Sequence, residues 1–325
     1  MAMVLRLISG AVLLAILGGC SGVFFYPMKP WAQNPARQGL DYQDVVLIQP
    51  DGLRLHGWWL PARGFNRGTV YFLHGNAENI STHLINVQWL PARGYNVFLL
   101  DYRGYGLSEG DPDLPGALAD VQLGLDWLSH SGRLQGKPLV LFGQSLGGAL
   151  GVDVLADPAN QGKVNCVMLE ATFASYRGVA DDVMRRSWLL WPLRWAVLPT
   201  LPAPALDPAG NIAALAPRPL LLLHSHQDPV IPYAQGEALF AAAAEPKTFQ
   251  ALKGGHAQGT RDPAVQQRLL DFLDHSGCMA EAPEQPGMAE PAQPGMPTPR
   301  HRGVDSENAS GDADALRAPA EAYRF

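Results

Sequence analysis

The stretch over residues 139–156, LVLFGQSLGGALGVDVLA, leaves few folds open. Its apolar run has no polar alternation, as expected of a strand covered on both faces. It ends at Gly143, Ser145 and Gly147, and a helical pattern starts at once. A turn that short is strained at the serine. Glycines two residues to either side let strand and helix approach closely, which pushes Ser145 Oγ out above the carboxyl edge of a sheet. The helix N-terminus behind it favours negative charge. Ser145 is therefore the candidate nucleophile.

The same grammar runs through residues 40–275. VVLI and LRLHGWWLP predict a hairpin with QPDG at its turn. Then come TVYFLHG, a helix over 79–93, YNVFLLDYRG, a helix over 115–129, PLVLFG, and the helix to residue 156. VNCVMLEA, a Trp-rich stretch, PLLLLHS, a helix over 233–244, KTFQAL and a last helix over 263–275 complete the series. Continuous apolar strands joined by helices predict a mainly parallel central sheet with helices on both faces, and antiparallel strands at the leading edge.

A serine hydroxyl needs a base, and the base needs an orienting acid. LLLLHSHQDPVIP ends a strand and puts Asp228 in the next loop; ALKGGHAQG puts His256 in a glycine-rich loop before the final helix. The order Ser, Asp, His is the one expected when acid and base follow the later strands of such a sheet. Glu170, at the end of an earlier strand, competes for the role of acid. His224, His226 and Asp228 spell H-x-H-x-D, but alternate residues at a strand end without a nearby fourth ligand are a poor metal site. His74 reads as a hydrogen-bonding loop residue, and the 101–106 turn as a shaper of the site floor through Arg103 and its glycines.

With HGNAEN at 74–79, DYRGYGLSEG at 101–110 and GQSLGG at 143–148, the chain resembles the α/β-hydrolase superfamily over nearly all of 40–275, in the branch of serine-aminopeptidase-like and acyl-protein-thioesterase-like enzymes. The resemblance implies the α/β-hydrolase fold with Ser145 as nucleophile, Asp228 as orienting acid and His256 as general base. It implies an oxyanion hole from the backbone N–H groups of Leu146 and Asn76, with Ala77 the alternative to Asn76. It implies no metal and no organic cofactor.

Both ends differ from the middle. Arg6 and the apolar run over 7–17 have signal-peptide dimensions. LGGC, ending at Cys20, resembles the lipobox of bacterial lipoproteins. That assigns 1–19 to a signal peptide, Cys20 to lipid attachment, 20–39 to a linker, and the protein to the bacterial cell envelope, at the outer membrane where two membranes exist. From residue 276 onward Pro, Ala, Glu and Gly dominate and QPGM repeats, so 276–325 reads as a disordered tail. Cys166 reads as a small core residue, and nothing in the sequence asks for a bond between it and Cys278. The net charge of −6, with no Lys/Arg cluster, argues against a nucleic-acid partner.

Residues 173–210 read as a short lid insertion whose Trp188, Trp191 and Trp195 are too apolar for an ordinary loop. An apolar lid points to a small-molecule or acyl substrate. The leading expectation is a serine hydrolase of carboxylesters or thioesters. The alternatives are an aminopeptidase or amidase, and a binding protein that kept the fold without turnover.

Overall fold

The computed structural model describes residues 24–202, 204–278 and 321–324. Eight strands form the body of one sheet: β1 Gln43–Ile48, β2 Arg54–Leu60, β3 Gly68–Leu73, β4 Tyr95–Leu100, β5 Leu139–Gln144, β6 Cys166–Glu170, β7 Leu220–Ser225 and β8 Lys247–Leu252. Their order is β8-β7-β6-β5-β3-β4-β2-β1, with the short segment Glu321–Arg324 parallel to β1 beyond it. Every neighbouring pair is parallel except those of β2, which runs antiparallel to β1 and β4. The β1–β2 hairpin closes as its turn chemistry predicts: Gly52 takes φ +90° and Asp51 Oδ1 accepts the Leu53 N–H at 3.0 Å.

Strands β3 to β7 are buried along their whole length, which is why they read as unbroken apolar runs. One face carries α1 (Leu114–His130) and α2 (Leu146–Ala156), the other α5 (Pro263–His275). Helices α3 (Tyr176–Arg186) and α4 (Tyr233–Ala242) follow β6 and β7. Each of α1, α3 and α5 starts at a side-chain cap: Asp113 to Gly116 N–H, Ser175 to Gly178 N–H, Asp262 to Ala264 N–H.

Four expectations need correcting. The helix expected over 79–93 is one turn, Ile80–His83, followed by the 3-10 pieces Leu84–Asn86 and Pro91–Arg93. Val87 leaves helical geometry at φ −131°, and Pro91 has no N–H with which to continue a helix.

The second concerns the linker over 20–39, which from Phe24 onward belongs to the domain. Phe25 is buried in the core, and Tyr26–Pro27 pairs in parallel with Ala77–Glu78. Buried Asn79 ties the segment down: its Nδ2 donates to Met28 O at 2.8 Å and Pro30 O at 2.9 Å, and its Oδ1 accepts from Ser81 N and Oγ.

Third, the domain runs past residue 275. Cys278 is fully buried and forms a disulfide with Cys166 at the start of β6, their Cα atoms 5.5 Å apart. Fourth, the expected disorder over 276–325 does not hold at 321–324, where the backbone adds a strand to the open edge of β1. The expected signal peptide, Cys20 and most of the tail lie outside the described residues.

Candidate active site

Ser145 sits between β5 and α2 with φ +51° and ψ −121°, a conformation an L-residue adopts only when its surroundings compel it. Three contacts compel it. The Ser145 N–H donates to Glu170 O at 2.9 Å, and Thr172 Oγ1 donates to Ser145 O at 2.8 Å. The flanking glycines admit the helix: a Cβ on Gly143 would stand 2.5 Å from Gly148 Cα, and one on Gly147 2.5 Å from His74 O. Glu78, Ala171 and Ala257 also have positive φ, and each follows or adjoins a strand end at the same edge of the sheet. Gln135, before β5, also has positive φ and lies at the other edge, so backbone strain is concentrated near the elbow without being confined to it.

Asp228 and His256 come from the loops after β7 and β8 and meet each other at the carboxyl edge of the sheet. His256 Nδ1 donates to Asp228 Oδ2 at 2.8 Å, while Asp228 Oδ1 accepts the N–H groups of Val230 at 2.8 Å and Ile231 at 2.9 Å. The Asp228 side chain is fully buried and that of His256 is 19% exposed. Burial alone would raise the Asp228 carboxyl. The hydrogen bond and charge of His256, with the two backbone N–H groups, outweigh it and hold the group below the usual carboxylate range.

The competing acid has other work. Glu170 Oε1 accepts the Gly259 N–H at 2.7 Å and its Oε2 accepts Gln144 Nε2 at 2.6 Å, so it braces the His256 loop against β5. Burial raises its pKa, against the opposing hydrogen bonds. Of the H-x-H-x-D residues, His224 comes within 3.8 Å of Asp228 Oδ2 but donates its Nε2–H to Ile231 O at 3.1 Å, and His226 turns away to stack on Tyr233 at 3.7 Å. His74 behaves as the loop residue expected, donating Nδ1–H to Gly75 O at 2.8 Å and stacking on Tyr102.

Arg103 corrects another expectation. It does not reach the site floor but grips Asp120 on α1 through Nε and Nη2. The 101–106 turn acts through Tyr105, whose hydroxyl donates to Asn76 O at 2.6 Å. The Tyr26 N–H donates to the same oxygen at 2.8 Å. With that carbonyl held from two sides, the 74–78 loop is fixed beside the elbow. Leu146 is the first residue of α2, so its N–H has no acceptor within the helix.

A cavity of about 420 Å³ opens at this point. Ser145, Leu146 and Asn76 lie at its wall with Ile231 and Val230; the rest is apolar, built from Phe24, Phe173, Val179, Val183, Met184, Leu190, Leu193, Val197 and Leu201, and rimmed by Tyr26. Ala77 is instead paired with Tyr26. The sequence had not indicated Phe24 and Tyr26 as wall residues, although the run FFYP at 24–27 is an apolar cluster odd for a linker. Residues 183–201 supply one side of the cavity, and their side chains divide between it and solvent. Val183, Leu190, Leu193, Val197 and Leu201 line the cavity, whereas Leu189, Trp188, Trp191 and Trp195 are 62%, 88%, 51% and 73% exposed. Among the described residues, none lining the cavity is charged.

A parallel sheet in this strand order, a strained serine between strand and helix, and a His–Asp pair on later loops define the α/β-hydrolase class. Comparison with known proteins agrees. The family described as "Serine aminopeptidase, S33" matches residues 64–216, and that described as "TAP-like protein" matches 186–282. The YfhR protein of Salmonella typhi is 37% identical over 268 residues, covering 74% of this chain and 85% of that protein. The alpha/beta hydrolase domain-containing protein WAV2 of Arabidopsis thaliana is 36% identical over 221 residues, 66% of this chain and 71% of that one. Among solved structures, the Pyrococcus furiosus esterase Pf2001 superposes with a TM-score of 0.62 at 18% identity, covering 79% of this chain and 98% of that one. The chain belongs to the α/β-hydrolase superfamily.

Proposed function

We propose that the protein is a serine hydrolase that cleaves carboxylester or thioester bonds of substrates with an apolar acyl group. The observation that carries this reading is the cavity itself: Ser145, Leu146 and Asn76 share one wall, and the remainder is uncharged and apolar. In the reaction Ser145 Oγ attacks the acyl carbonyl while His256 Nε2 takes its proton. Asp228 holds the imidazole with its proton on Nδ1 and stabilises the cation that forms. The carbonyl oxygen becomes negative against the N–H groups of Leu146 and Asn76, each such donor contributing about 3 kcal/mol in the transition state. His256 returns its proton to the leaving alcohol or thiol, and water then releases the acyl group by the same path. An aminopeptidase reading, to which the first family description points, would require a partner for a substrate ammonium, and the apolar wall supplies none.

A fluorophosphonate probe tests the mechanism. It should label the wild-type protein and not Ser145→Ala, with the melting temperature of the variant nearly unchanged, because alanine keeps the Cβ and with it the same backbone strain at the elbow. Equal labelling of both would sink the assignment. We also propose that Cys20 carries lipid and holds the domain at a membrane, on the strength of the LGGC run. Cys20→Ser should move the protein to the soluble fraction, and an unchanged membrane fraction would refute the anchor.

A further inference from the structure

The lid has two faces of opposite use. Its inner side closes the cavity through Leu190, Leu193, Val197 and Leu201. Its outer side shows Trp188, Leu189, Trp191 and Trp195 to solvent, at 88%, 62%, 51% and 73% exposure. Exposed tryptophans in such a cluster are costly to leave in water, and at 51–88% exposure the contacts they make among the described residues leave most of each ring uncovered.

Charge indicates what covers them. The protein carries a net charge of −6, yet residues 183–202 contain Arg185, Arg186 and Arg194 and no acidic residue. Asp181 and Asp182 on α3 offset part of this, Asp181 bonding Arg185 at 2.6 Å and Arg194 at 3.5 Å; with Arg177 counted, residues 176–202 carry four arginines against two aspartates and stay net positive. The Arg194 guanidinium lies over the rings of Trp195, at 4.5 Å, and Trp191, at 5.3 Å. An indole has an apolar body and one N–H donor, which suits the boundary between headgroups and acyl chains; arginine beside it suits anionic headgroups. A second copy of the same surface would instead place like charges together.

We propose that the outer face of the lid docks on an anionic lipid bilayer, with Trp188, Trp191 and Trp195 inserted at the headgroup level. This adds a contact independent of Cys20 and turns the mouth of the cavity toward the lipid. The supply of an acyl chain by that route rests on the serine-hydrolase reading; the docking does not.

The test uses the full chain carrying Cys20→Ser, so that no lipid anchor contributes. It is mixed with phosphatidylcholine–phosphatidylglycerol vesicles whose acyl chains bear bromine, which quenches only tryptophans within the bilayer. The expected result is quenching that falls when salt is raised, and that is lost together with at least about tenfold in vesicle affinity in Trp188→Ser/Trp191→Ser/Trp195→Ser. These side chains do not line the cavity, so fluorophosphonate labelling of the triple variant serves as the control for folding. Ser145→Ala should keep the full quenching, which separates this result from any failure of the hydrolase reading. The proposal is overturned by quenching that survives the triple substitution, by none in the parent chain, or by a Trp-dependent dimer or protein complex formed in place of vesicle binding.

Discussion

Replacing Asp228 by asparagine tests the site more sharply than removing the serine, because the structure dictates how the new amide must sit. Asp228 Oδ1 accepts two backbone N–H groups, from Val230 and Ile231, and Oδ2 accepts His256 Nδ1. The amide oxygen must keep facing the two N–H groups: turning the NH2 toward them would leave two buried donors unsatisfied, at about 1–3 kcal/mol each. The NH2 therefore faces His256 and offers a donor where a carboxylate accepted. His256 can answer only by accepting at Nδ1, which puts its proton on Nε2, the nitrogen that must be bare to receive the Ser145 proton. The catalytic base is lost through its tautomer, with little change in shape. By analogy with other triads the loss is about 10⁴-fold in kcat, about 5 kcal/mol of barrier. The assay is kcat/KM for a p-nitrophenyl ester, with the melting temperature as control. Glu170→Gln, measured beside it, should alter the rate by less than about tenfold, since Glu170 touches Gln144 and Gly259 and not His256. Activity of Asp228→Asn within tenfold of wild type, or the large loss appearing at Glu170 instead, would refute the reasoning.

Two further consequences concern stability. Cys278→Ser opens a loop closed across 112 residues, and should lower the unfolding free energy by about 2–4 kcal/mol in urea titrations; wild type in dithiothreitol should match it. No difference between oxidised and reduced wild type would show that the bond constrains nothing. Asp153 on α2 has one buried carboxyl oxygen bonded to Asn211 and the other without a partner. Burial raises its pKa from 3.8 to about 7. The folded state then binds the proton more tightly than the unfolded chain, so stability falls as pH rises from about 4 to about 7. An asparagine in its place does not ionise, so the advantage of Asp153→Asn should widen across that interval and level off above it. A gap that stays constant or narrows between pH 5 and pH 8 would contradict the assignment.

How legible this molecule was depended on whether a feature is local. The strands β3 to β7 had to be apolar on both faces, and that writes itself into the sequence. The elbow was equally plain, because a positive φ at Ser145 and a close helix demand glycines at fixed offsets, Gly143 and Gly147. Helix α5 was readable to the residue, since Pro263 follows an aspartate cap. The Cys166–Cys278 bond was not readable: pairing two cysteines so far apart in sequence requires knowing that α5 returns to the start of β6. Nor was the role of Asn79, two of whose four side-chain hydrogen bonds hold the segment from Phe24 to the domain at Met28 O and Pro30 O; an asparagine before a helix looks the same whether it caps one turn or also holds a distant strand.

The same distinction explains how the site is divided. Ser145 and Asp228 follow the buried strands β5 and β7, His256 follows the half-buried edge strand β8, and the partners of the first two are backbone groups or buried side chains: Glu170 O, Thr172, Val230 N–H, Ile231 N–H. Those contacts leave little freedom, which reactions sensitive to fractions of an ångström require. The cavity wall is instead drawn from the lid and the N-terminal segment, where Val183, Leu190 and Leu193 are 45%, 38% and 50% exposed and the backbone runs through short helical turns. Such a wall can be reshaped by substitution without disturbing the strands. On the proposed reading, chemistry and acyl preference are held by different parts of the chain, and a variant such as Leu193→Trp should change which acyl length is preferred in a p-nitrophenyl ester series while leaving fluorophosphonate labelling of Ser145 intact. If labelling falls in parallel with every ester, the lid is part of the catalytic machinery and the division does not hold.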